Sequence, residues 1–112
     1  MAKVDDLTRM GHMVGAAQKA VQFARGKQRG DLDQDELLSL ALVRLLEMVG
    51  EAASKVSNNT RDQHPEIPWA QILGMRNRLV HGYDKIDLDV LWQTLIQDLQ
   101  PLIDSLTKIL GP

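Results

Sequence analysis

Apolar residues recur along the chain at steps of three and four, the spacing that lines one face of an α-helix. Leu7, Met10, Val14, Ala17, Val21 and Ala24 form such a stripe and predict a first helix that ends in the glycine-flanked basic stretch from Gly26 to Gly30. Asp31 and Asp33 are then candidate N-caps of a second helix, with Asp35 and Glu36 in its first turn. Its stripe runs Leu38, Leu42, Leu45, Val49, Ala52, Val56, flanked by Leu37, Ala41 and Met48, and this broad face predicts a central helix. Ser57-Asn58-Asn59-Thr60 stops it, because these side chains compete for backbone hydrogen bonds. A polar stretch follows with Pro65 and Pro68, the second placed to open a short helical segment running to His81. The last helix begins near Asp87 and carries Leu88, Leu91, Trp92, Leu95, Leu99, Leu102, Leu106 and Ile109, with Pro101 expected to kink it. No strand pattern competes. The expectation is an all-α up-and-down bundle of three long helices plus a short helical motif segment, one domain over residues 1–112.

Seven-residue recurrences at 38, 45 and 52, and at 88, 95, 102 and 109, favour shallow-angle helix packing. Helices this short with such broad apolar faces make a homodimer plausible, and a monomer with a few exposed leucines is the alternative.

Composition narrows the chemistry. With no Cys, the 112-residue chain has no disulfide, thiolate ligand or Cys nucleophile. A formal net charge of −2 excludes a generic polycation. No apolar run reaches the roughly 20 residues of a membrane span, and the start MAKVDDLTRM lacks a signal-peptide core, so the expected location is the cytoplasm. The charge is uneven. Residues 7–30 hold Arg9, Lys19, Arg25, Lys27 and Arg29 without an acid, either a guide for a phosphate backbone or a solvated helix end.

Residues 72–83 concentrate the reactive side chains. In a continuous helix Asn77 and His81 share a face, and the long side chain of Arg76 reaches the same pocket. Arg offers a permanently charged fork to phosphate oxygens, His moves protons near neutral pH, and Asn can fix the imidazole. The same residues also fit an ordinary helix end, with His81 complementing the dipole and Gly82 following the cap. Both readings stand on the residues alone. There is no phosphate-binding glycine loop and no zinc-protease or hydrolase motif. His12 and His64 lack metal-ligand spacing. Glu47 and Glu51 read best as a polar strip between Arg44 and Lys55.

Three segments together resemble the HepT-like family of the HEPN superfamily: residues 41–53, ALVRLLEMVGEAA; residues 64–69, HPEIPW; and residues 75–83, MRNRLVHGY. The resemblance extends from about residue 37 to the end, with the first helix matched by order. It implies a small all-α dimer and a metal-independent endoribonuclease toxin of a toxin–antitoxin pair. Arg76 and His81 would be the catalytic pair, with Asn77 the polar residue after the Arg. The two motif copies of a dimer would line one RNA cleft. The implied partner is a minimal nucleotidyltransferase that moves AMP from ATP to the motif tyrosine, Tyr83. On that scheme Arg78 and Lys85 position the RNA backbone, and no cofactor or metal is needed. The alternative is a non-catalytic binding module of the same fold that docks a nucleotidyltransferase.

Overall fold

The computed structural model describes residues 3–82 and 85–111. It is an all-α up-and-down bundle. Helix α1 spans Val4–Ala24, a one-turn helix α2 spans Asp31–Gln34, and the central α3 spans Glu36–Ser54. Three short helices follow: α4 (Asn58–Gln63), α5 (Trp69–Leu73) and α6 (Met75–Leu79). A hairpin of β1 (Val80–His81) and β2 (Lys85–Ile86) leads to α7 (Leu88–Gln93), which continues through a π-helical turn, Thr94–Asp98, into α8 (Leu99–Leu110). The three long helices are thus α1, α3 and the α7–α8 continuum.

The core forms where α3 and α8 pack along α1. Met10, Met13, Ala17 and Ala20 of α1 meet Leu42, Leu46, Val49 and Ala53 of α3, and Leu99, Leu102 and Leu106 close the third side. Each fully buried Leu of this set contributes about 1.5–3 kcal/mol of hydrophobic stabilisation. The alanines on α1 allow close helix approach.

The burial differs from the expected stripes in detail. On α1 the inner face centres on Asp6, Met10, Met13 and Ala17, so Leu7, Val14 and Val21 lie at its margin. On α3, Leu37 and Met48 are exposed at 82% and 41%, and Val43, Leu46 and Ala53 take the flanking buried places. The N-cap of α3 is Asp35, whose side chain accepts from the Leu38 N–H; Asp31 and Asp33 belong instead to α2. The central helix ends at Ser54, before the expected Ser57–Thr60 stop, and Ser57 instead caps α4, an element the polar sequence concealed.

The segment from Pro68 to His81 is not one helix. Gly74, at φ −90 and ψ 0, separates α5 from α6, and α6 ends at Leu79 because Val80 turns extended, φ −120 and ψ 119. Val80 then pairs with Ile86 and His81 with Lys85. Gly82, at φ 76, serves the hairpin turn rather than a helix cap. Gly50 lets α5 lie tight on α3, since a Cβ there would sit 3.3 Å from the Ile72 carbonyl oxygen.

Candidate active site

Met75 and Leu79 are buried and four residues apart, so they pin the inner face of α6 to the core. Arg76, Asn77 and Arg78 between them fan outward, all exposed. They do not fan in one direction.

Arg76 turns to α3, where its Nε donates to Glu47 Oε2 at 2.8 Å. Together they border a hollow that also includes Gly50 and Leu73. Glu47 is only 20% exposed at its side chain, whereas Arg76 is 69% exposed, so the carboxylate is the fixed member. The polar strip expected on α3 is therefore corrected: Arg44 bonds Glu51 at 3.0 Å, bypassing Glu47, which belongs to Arg76.

Asn77, Arg78 and His81 turn the other way and line a groove of about 610 Å³ against α7 and the π turn. The expected sharing of a helical face by Asn77 and His81 fails, because His81 stands on a strand. They still border the same groove, brought together by the hairpin. His81 Nε2 faces Asp87 Oδ2 at 4.0 Å. The other oxygen of Asp87 accepts from the Val90 N–H at 3.1 Å and caps α7. The Asp87 N–H donates to the Leu79 carbonyl at 2.7 Å. The hairpin and the cap thus fix carboxylate and imidazole to the same short frame. Sequence reading missed Asp87 as more than a helix start; its signal is a carboxylate six residues after His81, directly following the HGYDKI sequence.

Arg78 donates from one terminal nitrogen to the Gln71 carbonyl at 3.0 Å. Lys85 lies opposite His81 in the ladder and is exposed. Tyr83 lies outside the described residues. The basic stretch after α1 is partly committed elsewhere. Arg29 bonds Asp89 at 2.7 Å and Asp33 at 2.8 Å, tying the α2 region to α7, and the Asp89 bond leads in holding its guanidinium charged. His12 is exposed beside Arg9 and Arg44, and His64 lies 3.6 Å from Glu66. No cluster of three His, Asp or Glu residues suited to a metal occurs among the described residues.

The small helical bundle thus holds an Arg and a His five residues apart, each facing a carboxylate, groups able to bind a phosphate oxygen and to move a proton. The comparison with known proteins gives the class its family. The pattern of the Ribonuclease HepT-like family matches residues 13–109, and the chain belongs to that family. The match includes most of α1. A candidate ribonuclease HepT of Thermococcus cleftensis is 37% identical over 75 residues, covering 67% of this chain and 68% of the relative. A candidate RNase of Caldanaerobacter subterraneus is 29% identical over 99 residues, 88% of each chain. A candidate RNase of Methanocaldococcus jannaschii is 31% identical over 90 residues, 80% of this chain and 78% of the relative. No solved structure matches the chain.

Proposed function

We propose that the protein is a metal-independent endoribonuclease toxin, working as a homodimer and silenced by AMP transfer to Tyr83. The observation that carries this reading is the pairing of Arg76 with Glu47 and of His81 with Asp87 within a ribonuclease-family chain. The chemistry needs no group beyond these side chains. One imidazole takes the proton of a ribose 2′-OH, the oxygen attacks the adjacent phosphorus, and the 5′-oxygen leaves with a proton from a second imidazole. The products are a cyclic phosphate and a 5′-hydroxyl. One chain has one motif histidine, so a dimer supplies the base and the acid. Arg76 lies on the α3 side, away from the His81 groove of its own protomer, so within the dimer it would offer its terminal nitrogens to the non-bridging oxygens from across the cleft, while Arg78 and Lys85 hold the backbone without reading bases.

The dimer reading draws support from exposed apolar side chains on α3 and beside Arg76. Leu40 (49% exposed) and Met48 lie on the outer side of α3, and Leu73 (39% exposed) borders the Arg76 hollow. A second protomer covering this surface would remove it from water. AMP on Tyr83, two positions after His81, would add a bulky anion beside the imidazole and exclude RNA by charge and sterics. The partner that performs the transfer is a minimal nucleotidyltransferase.

The testing experiment is RNA cleavage by the purified protein in EDTA, with intact mass measured after co-expression with the neighbouring transferase. Cleavage persisting in EDTA and a mass gain of one or more AMP units, lost in Tyr83→Phe, are expected. A tight transferase complex with no cleavage of any RNA would instead favour the non-catalytic binding module.

Asp87→Asn separates two duties of one residue. Asn keeps a cap for α7, so Tm should stay within about 2 °C, because Asn and Asp cap almost equally well. The negative charge beside His81 is lost, and kcat should fall about tenfold or more with KM little changed. Asp87→Ala should lose stability as well, about 1 kcal/mol of cap energy, and its Tm should fall accordingly. An Asn variant with the native kcat would remove Asp87 from the mechanism.

A further inference from the structure

The turn after the His81 groove is wound as a π-helix, with the Leu99 N–H donating to the Thr94 carbonyl five residues back. Its cause lies downstream. In a regular helix the ring of Pro101 would collide with the carbonyl of Gln97, and a wider turn relieves this. The extra residue also rotates the helix. Leu91 and Leu95 face the core before the turn and Leu99, Leu102 and Leu106 after it, while Gln97 and Asp98 stay exposed.

That rotation opens a hollow of about 260 Å³ between α5 and the α7–α8 continuum. Ile72, Met75, Leu99 and Leu102 supply apolar lining. Gln71, Gln97, Asp98 and Glu66 give it a polar edge with two carboxylates, and Arg78 joins them on the side of the groove. Gln71, Arg78, Gln97 and Asp98 also line the His81 groove, so hollow and groove are continuous.

We infer that this hollow is a base-selecting subsite: it receives one unstacked nucleobase of the RNA whose backbone lies in the His81 groove, and it prefers bases with an amino group over uracil. The inference rests on the ribonuclease reading. Arg78 stands where the hollow meets the groove and can hold a phosphate there, whereas inside the hollow a phosphate would meet apolar side chains and two carboxylates. A base is the part of RNA with apolar faces and a polar edge, and unstacked bases are what proteins read in single-stranded RNA. Carboxylates accept hydrogen bonds from the amino groups of adenine, cytosine and guanine. Uracil presents a single ring N–H between two carbonyl oxygens, which Asp98 and Glu66 repel.

The test uses RNA oligonucleotides that differ at one position beside the cleaved bond, together with binding of the same series to the His81→Ala protein. Cleavage and binding should both favour A, C or G over U by about tenfold, the range of one good base contact. Asp98→Asn, whose amide can also donate to a carbonyl, should shrink that ratio below about threefold. Ser105→Phe, which fills the hollow from α8, should weaken binding of every base. Equal treatment of uracil by the wild-type protein, or a ratio unchanged in Asp98→Asn, overturns the subsite. Absence of all cleavage strikes the ribonuclease reading instead, and the binding series then still decides the subsite.

Discussion

Replacing His81 by Ala is expected to slow single-turnover RNA cleavage by about two to four orders of magnitude, the usual worth of a positioned acid–base group. Arg76→Ala should cost about 10²–10³, comparable to removing one preorganised charge-stabilising donor. Neither change should disturb the fold. His81 is 61% exposed and Arg76 69% exposed at the side chain, and each faces a carboxylate, Asp87 or Glu47, rather than filling the core. Circular dichroism and Tm therefore control for folding, and native rates in both variants would end the assignment. Arg76→Lys is the sharper form. Lysine keeps the positive charge but loses the guanidinium fork that can hold Glu47 at Nε and still present its terminal nitrogens to phosphate. Its rate should lie nearer to Ala than to Arg. The Arg76 and His81 effects should also be unequal in binding: RNA affinity should fall more in Arg76→Ala, since only that variant loses a permanent charge.

The long helices were legible because their apolar faces follow the helical period over many turns, and tertiary packing follows the same period. Errors of one position, as on α1, arise where small residues decide burial: Ala16 and Ala20 are buried because α3 approaches closely, which no hydropathy value encodes. The site was legible as a residue set and not as a geometry. Met75 through His81 carries good helix formers up to Leu79, and local propensity gives no reason to stop there. The stop comes from pairing of Val80 with Ile86, six residues on, a contact set by the fold. That hairpin places His81 toward Asp87 while leaving Arg76 on the α3 side, a division invisible to a helical wheel. Glu47 illustrates the same limit. Arg44, three residues before it, offered an ordinary ion pair, yet it is bonded to an arginine 29 residues away. The π turn was half legible: Pro101 announces a disturbance, but its form depends on which leucines must stay inside.

Asp6→Ala should lower stability by about 2–3 kcal/mol, the cost of stranding donors around a deleted buried carboxylate, although position 6 is remote from the proposed chemistry. Asp6 is 3% exposed. Its Oδ1 accepts from the Ser57 N–H at 3.0 Å, and its Oδ2 accepts from the Ser57 hydroxyl at 2.7 Å and from the Thr60 hydroxyl. The first turn of α1 is thereby tied to the start of α4. From α4 the chain runs through His64, whose carbonyl accepts from the Trp69 indole N–H at 2.9 Å, into α5 and α6. At about 4–8 °C per kcal/mol for a domain of this size, Tm should drop by 10 °C or more. The Thr60 bond, then those from Ser57, hold the carboxyl below the usual carboxylate range despite its burial. The sign of the pH effect follows. A folded pKa below the unfolded one adds stability above the unfolded pKa, near 4, and that stability is lost as pH falls through the folded value. Wild-type protein should therefore lose stability as pH falls below about 4, and Asp6→Asn should show a shallower slope there at lower overall stability. Chemical denaturation of the two proteins across that range measures the difference. Equal slopes would show that Asp6 does not carry the acid sensitivity, and an unchanged Tm in Asp6→Ala would mean that the tie between α1 and α4 contributes nothing to the fold.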